Sequence, residues 1–471
     1  MAEENIKPSF GFSIAVMSVI VVMLVGGLSF LHVDMHMLLI ACTIVVVLAS
    51  IYLGHRWDDI LDAIIHGISR ALAAVLFFIL IGMAVGAWVA SGTVPALIYY
   101  GLNLLTPMLF LPAGLIIGSI ASLATGSSWS TAGTVGVALM GIGLGMNIPA
   151  PLIAGMVISG AYFGDKMSPL SDTTNLAPAI AGTDVFSHIR AMLYTTIPAY
   201  LISLALFFVF GLKYADQALD ASQIETIQNL IAGNFNLNIM VLLPIVVVLI
   251  LSVMKFPAIP AMIVGIVVAI PVAVFFQGAS FVSVLEVLNY GFSIETGSEL
   301  VDKLLNRGGV QSMMWTLSLA LVALSLGGAL THSKLLTVIF EKVIEKVHSA
   351  RYYPGMVIVS GVLTNALVGE QYMGVVVPGE LYRESFEQKG LEPRMLSRCL
   401  EEGATLTANF FPWSTGGAFM FGALGVYNFA YMPYAFFNYI NPILGILLPV
   451  FGLTLLRKKQ TDKDSKTDAP H

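Results

Sequence analysis

Residues 160–178 read Gly160-Ala-Tyr-Phe-Gly-Asp-Lys-Met-Ser-Pro-Leu-Ser-Asp-Thr-Thr-Asn-Leu-Ala-Pro178. They lie in a mostly apolar segment, residues 150–183, whose 34 residues exceed the roughly 20 that one membrane-spanning helix needs. Gly164, Pro169 and Pro178 interrupt the segment, so its middle is expected to unwind. Unwound backbone offers free carbonyl oxygens, and each half-helix aims a terminal dipole at the gap. Asp165 is the first charged residue after Arg70, and Asp172 follows it across Pro169. An ionised carboxylate at membrane depth loses its hydration, so a proton and a hard cation such as Na+ compete for it. Na+ is therefore expected at Asp165 and Asp172, with Ser168, Ser171, Thr173, Thr174 and Asn175 completing an oxygen shell. The bland alternative is an Asp165–Lys166 ion pair at a loop edge, with Asp172 capping a helix that starts at Thr173. Ionisable residues inside a membrane are functional by default, which favours the first reading.

Working outward, no Asp, Glu, Lys or Arg occurs from Ala71 to Gly164 or from Gly403 to Leu456. Of the 471 residues, 57% are hydrophobic and 11% charged, against about 25% charged in an ordinary soluble domain. So few charges cannot coat a water-facing surface, and most of the surface must face lipid. Apolar segments fall at 10–31, 36–53, 71–91, 94–124, 131–163, 174–183 and 189–212, then at 237–254, 256–278, 310–333, 354–368, 375–382, 403–428 and 432–456. All are expected to be helical, because an isolated strand cannot satisfy its backbone in lipid. The fold class is thus an all-α polytopic membrane protein with about 11–13 spans. Residues 56–70 carry apolar side chains at helical spacing and read as an interfacial helix. Cys42 and Cys399 supply neither a disulfide framework nor metal spacing.

Lys and Arg mark the cytoplasmic side. Arg457, Lys458, Lys459, Lys463 and Lys466 place the C-terminus there, and Arg383, Lys389, Arg394 and Arg398 place their loop there. The mid-chain loop has one Lys against Asp216, Asp220 and Glu225 and is expected outside. The chain then divides into an N-terminal transmembrane repeat (1–212), an external connecting loop (213–236), a C-terminal repeat (237–456) and a cytoplasmic tail (457–471).

The halves match faintly at an offset of 243 residues. Gly118, Gly126, Gly136, Gly160, Ala161, Pro169 and Ser171 fall on Gly361, Gly369, Gly379, Gly403, Ala404, Pro412 and Ser414. The matches sit where each half breaks its apolar pattern, as in transporters whose interrupted helices form the binding site. Interrupted helices or re-entrant hairpins in two inverted repeats are expected. The C-half counterpart of the opening stretch is Glu402-Gly-Ala-Thr-Leu-Thr-Ala-Asn-Phe-Phe-Pro-Trp-Ser-Thr-Gly-Gly417. It has no aspartate but offers Asn409, Ser414 and Thr415 as neutral ligands. Thr125-Gly-Ser-Ser-Trp-Ser-Thr-Ala-Gly-Thr134 aligns with Thr364-Asn-Ala-Leu-Val-Gly-Glu-Gln-Tyr-Met-Gly374. Glu370, embedded among apolar residues, is a further protonatable candidate. Ser127, Ser128, Thr131, Thr364 and Asn365 are expected to line the path, and Lys166 is a candidate contact for an organic anion. Small and hydroxyl residues at such positions also serve plain helix packing.

Residues 164–175 (Gly-Asp-Lys-Met-Ser-Pro-Leu-Ser-Asp-Thr-Thr-Asn) strongly resemble the NhaC-type sodium/proton antiporter family. Thr125–Thr134, Gly369-Glu-Gln-Tyr372 and Phe411-Pro-Trp-Ser-Thr-Gly-Gly417 carry the same resemblance, which covers essentially the whole chain. It implies a bacterial or archaeal inner-membrane exchanger of the ion-transporter superfamily with two inverted repeats, and its members include proton-malate/sodium-lactate exchangers. The leading expectation is a Na+/H+ antiporter; exchange of small carboxylates is the alternative. Expected partners are Na+, H+ and the bilayer, with no cofactor and no nucleic acid, and a homodimer is compatible with this reading. An intramembrane enzyme finds little support: Tyr162-Phe-Gly-Asp165 lacks the first glycine of the aspartyl-protease pattern, and no His-Glu-x-x-His motif occurs.

Overall fold

The computed structural model describes residues 7–70, 72–214, 221–254 and 256–457. The basic tail beyond Arg457, and Asp216 and Asp220 of the mid-chain loop, lie outside the described residues. Regular structure among those residues is helical, apart from one antiparallel bridge between Leu391 and Arg457. Among the described residues, six helices are long and apolar enough to cross a membrane, and three bent pairs bring the number to nine. Half-length apolar helices, among them Tyr353–Val368 and Thr415–Leu424, belong to the interrupted segments. The outer faces of the long helices are apolar and exposed, as at Val21, Val22 and Val25 or Leu201, Ile202 and Val209. Water would not tolerate such belts, whereas lipid does.

Several apolar segments are subdivided. Segment 94–124 is two helices, Thr93–Leu104 and Pro107–Thr125. Pro107 fits only a first helical turn and holds Thr106 extended, so the chain has to restart there. Segment 131–163 divides between a helix ending at Gly145 and the helix Ala150–Met167. The expected unwinding within residues 150–183 is present, but it is confined to the residues between Met167 and Asp172. Gly164 and Pro178, expected as breaks, are inside helices. Gly164 is there for close packing, since a Cβ would stand 2.5 Å from the Ser119 carbonyl oxygen. The connecting loop contains the helix Ala221–Asn234, and residues 57–70 form the expected amphipathic helix. The helices Phe281–Tyr290, Glu299–Leu305 and Leu335–Lys346 were not anticipated, because each carries charge that hides it from an apolar scan.

Two hairpins and two crossing segments organise the interior, and their details recur at the same offset of 243 residues. The first hairpin is Pro107–Thr125, a turn at Gly126 with φ +66°, and a helical run from Ser128. The second is Tyr353–Val368, a turn at Gly369 with φ +73°, and Gln371–Gln388. Each hairpin's first arm packs backbone-to-backbone on a crossing segment. Ser122 Oγ donates to the Ala161 carbonyl, and Asn365 Nδ2 donates to the Ala404 carbonyl. A Cβ at Gly160 would lie 2.7 Å from the Leu115 oxygen; one at Gly403 would lie 2.5 Å from the Ile358 oxygen. Gly403→Ala is therefore expected to lower stability by about 1–3 kcal/mol, the usual penalty of overpacking. Thermal unfolding in detergent measures this, with Gly233→Ala as control, since nothing lies within 4 Å of a Cβ there.

Candidate functional site

Four helix starts converge on one cavity of about 640 Å³. They are Ser128 of the first hairpin, Asp172 after the first break, Gln371 of the second hairpin and Thr415 after the second break, and all four residues line it. The starts are capped at corresponding positions. Ser127 and Glu370 accept from the backbone N–H three residues on, at Ser130 and Met373; Ser414 does the same from Gly417, while Ser171 precedes Asp172 without a side-chain cap bond. A helix N-terminus carries partial positive charge, and three of the four hold a carboxylate in or beside the first turn. Asp165, from the end of Ala150–Met167, is buried. Its Oδ2 accepts from the Ser128 backbone N–H at 3.1 Å and the Ser128 hydroxyl at 2.6 Å. Asp172 is exposed to the cavity, and Glu370 lines it from the second hairpin. The helix starts at Asp172 itself, with Ser171 as its cap, and Asp165 pairs with Ser128 rather than with Lys166.

Aromatic rings close one side. Trp129 stacks on Phe419 with centroids 4.4 Å apart, joining the two halves, and Phe77, Phe256 and Tyr372 share the lining. Among the described residues that line the cavity there is no lysine or arginine. Electrostatically it is an acidic pocket that suits a cation.

A buried charge cluster lies next to the end of Ala150–Met167. Glu402 Oε1 stands 3.7 Å from Lys166 Nζ and 3.7 Å from Arg398 Nε, and it also accepts from the Thr195 hydroxyl. Lys166 Nζ donates to Asn441 Oδ1 at 3.0 Å. Next along the chain, Glu401 Oε1 accepts from Thr173 Oγ1 at 2.9 Å. Glu401 opens a π-helical turn, Glu401–Thr405, of the kind that recurs at functional sites.

A profile of the Na+/H+ antiporter family matches residues 160–453, which include both breaks and the second hairpin. The chain belongs to the Na+/H+ antiporter family. It is 39% identical over 441 residues to the malate-2H+/Na+-lactate antiporter of Bacillus subtilis, covering 94% of each chain. Over 448 residues it is 37% identical to the Na+/H+ antiporter NhaC of Alkalihalophilus pseudofirmus, covering 95% of this chain and 96% of that one. The arginine/ornithine antiporter ArcD of Halobacterium salinarum is 36% identical over 455 residues, covering 96% of this chain and 94% of its own. These relatives are named as antiporters, not enzymes, and with its several apolar helices this family member is a multi-pass membrane transport protein.

Of the residues singled out from the sequence, the cavity brings together Asp165, Ser171, Asp172, Thr173, Glu370, Thr415, Ser127 and Ser128. The others are not in its lining. Ser168 Oγ donates to the Leu123 carbonyl, Thr174 Oγ1 to those of Asp165 and Lys166, and Asn175 Nδ2 to those of Pro169 and Ser171. They hold the unwound loop in shape. Asn409 donates to the Leu406 carbonyl, and its own carbonyl accepts from Asn428 and Tyr431. Ser414 donates to Ala408 and Phe411, Thr364 to Ser360, and Asn365 to Ala404 and Thr407. Thr131 pairs with the cavity-lining Thr125 at 3.3 Å. Lys166 is fully buried in the charge cluster. Arg398, read from the sequence as part of a cytoplasmic loop, is fully buried in the helix Pro393–Leu400.

Sequence reasoning missed Glu401 and Arg398. The signal available was a run of charges, Arg398 to Glu402, abutting a segment with no charge at all. Ser128→Ala is expected to raise the Na+ concentration for half-maximal transport about tenfold. That corresponds to losing one charge-assisted hydrogen bond of about 1.5 kcal/mol. A Na+ titration of transport in liposomes reads it.

Proposed function

We propose that the chain exchanges Na+ for H+ across a prokaryotic inner membrane, the two ions competing for the carboxylates of one cavity. The observation that carries this is the meeting of Asp165, Asp172 and Glu370 from both halves in a cavity whose described lining holds no fixed cation. Such a site needs a compensating positive charge, and a proton or Na+ supplies it. The names of the NhaC relatives support the choice of ions. The hairpins are read as inverted repeats within 1–212 and 237–456, joined by an external loop and followed by a cytoplasmic tail. What supports inversion is the charge at their open ends. The first hairpin packs near the connecting loop, where Gly211 meets Met108. The second carries Arg351, Arg383 and Lys389, the signature of a cytoplasmic side.

A second reading, Na+- and H+-coupled exchange of small carboxylates, has its own support. The cavity volume falls within the roughly 300–1,000 Å³ of small-molecule sites. Thr415 begins the one convergent helix with no carboxylate either in its first turn or hydrogen-bonded at its start, and an organic anion would suit that N-terminus. The name of the Bacillus subtilis malate-2H+/Na+-lactate relative agrees.

One experiment separates the two. Purified protein is sealed into liposomes with an acid interior and a pH-sensitive dye inside. Alkalinisation on adding Na+ alone is the expected result and makes organic anions unnecessary. A response only with malate outside and lactate inside would overturn the first reading in favour of the second.

A further inference from the structure

We propose that Glu401 is an additional proton-carrying carboxylate of the exchange, electrically coupled to the cavity without lining it, and that the Thr173 hydroxyl is its relay. The proposal rests on the Na+/H+ reading above.

Glu401 is fully buried at the start of the π-helical turn. That turn belongs to the C-terminal half, yet the Glu401 side chain is bonded to Thr173 of the N-terminal half. Thr173 lines the cavity, and its hydroxyl is also 3.2 Å from that of Ser171, another lining residue. Glu401 is thus one hydroxyl removed from the cavity. Glu402 faces elsewhere, between Lys166 and Arg398, so two consecutive glutamates have divided roles. Both cations lie within 4.0 Å of Glu402, and no ammonium or guanidinium among the described residues lies that close to Glu401.

The charges around it set what Glu401 can do. Lys166, Arg398 and Glu402 sum to one positive charge. Ionised Glu401 cancels that charge, and protonated Glu401 leaves it in place. His188 also faces this cluster through Lys166; Asp165 and Tyr372 face Glu401 from the cavity side. An uncancelled positive charge beside the cavity repels Na+ in it. A unit charge about 10 Å away, at an effective dielectric near 20, alters cation affinity on the order of tenfold. Occupancy of the cavity by Na+ and of Glu401 by a proton therefore oppose each other. Proton release balances simply. The Glu401 carboxyl O–H passes its proton to Thr173 Oγ while the Thr173 hydroxyl proton goes to a water in the cavity. The products are a carboxylate, an unchanged threonine and a hydrated proton.

The test is a proton count on purified full-length protein in detergent and weak buffer, with a pH-sensitive dye. NaCl is added, choline chloride serves as the ionic-strength control, and bound Na+ is measured in parallel with 22Na+. Glu401→Gln keeps an acceptor for Thr173 but cannot ionise. It is expected to release about one proton fewer per protein and to bind Na+ about tenfold more weakly. A purely structural role would lower stability and leave the count per bound Na+ unchanged, so equal release from wild type and Glu401→Gln overturns the proposal. No Na+-induced release from the wild type overturns the exchange reading itself, and this proposal with it. If Glu401→Gln does not fold, Thr173→Val takes its place. It should release the same number of protons more slowly, with Thr173→Ser restoring the rate; a wild-type rate in Thr173→Val overturns the proposal.

Discussion

Asp172→Asn is expected to reduce Na+-driven proton movement in liposomes by at least about 100-fold while leaving the protein folded and inserted. Asp172 is exposed to the cavity and occupies the first turn of a helix whose cap is Ser171. Among the described residues no side-chain hydrogen bond holds its carboxylate, so the amide fits the same space and leaves no buried partner stranded. What disappears is one of three negative charges on the cavity wall. A contact to a charged group is worth about 1.5–3 kcal/mol, and 2.7 kcal/mol is a factor of about 100 in binding. The amide also cannot take up and release a proton, so the exchange loses a titrating group as well as a ligand. Unchanged elution from a sizing column establishes folding. Wild-type exchange rates in the variant would eliminate Asp172 as a required ligand.

Glu402→Ala should have the largest effect on stability, about 3–5 kcal/mol. The carboxylate lies between Lys166 and Arg398 and accepts from the Thr195 hydroxyl. Gly445 opposite leaves it room, since a Cβ there would collide with Oε2. Removing the carboxylate leaves two buried cations with only Glu401 nearby to offset them, which costs far more than the pair contributed. The measurement is thermal unfolding in detergent, together with the yield of monodisperse protein. Because Glu402 does not line the cavity, any variant that survives should still bind 22Na+. A thermal midpoint equal to wild type would mean that the cluster is not what holds these helices together.

The membrane fold was legible because a long chain with so few charges admits few alternatives. The carboxylates of the cavity were legible for the same reason: Asp165 and Asp172, with Lys166 between them, follow a long uncharged run, and an acidic residue cannot hide in such a background. Ser127, Glu370, Ser171 and Ser414 recur at helix starts along the 243-residue offset that the sequence shows, while the meeting of those starts at one cavity is visible only in the fold. The neighbouring hydroxyls and amides were less readable. Ser168, Thr174 and Asn175 are the residue types that ligate Na+, but also those that satisfy carbonyls freed by unwound backbone, and the latter is what they do here. Glu401 escaped notice because a cluster of opposite charges at the edge of an apolar segment looks, in one dimension, like the lip of a loop. Only the packing of Thr173 against it reveals that the lip is folded inward.

The glycine crossings described above bear on how the molecule can move. At Gly160 and Gly403 the backbones approach too closely for even a methyl group, so each hairpin and its crossing segment are locked as ridge in groove. Two such blocks cannot bend internally without first prising those backbones apart. The blocks meet at Trp129 on Phe419, rings stacked face to face, and again at the buried Lys166–Glu402 pair and the Thr173–Glu401 bond. Trp129 and Thr173 both line the cavity, so any rearrangement carrying one block past the other must reshape that cavity in the same stroke.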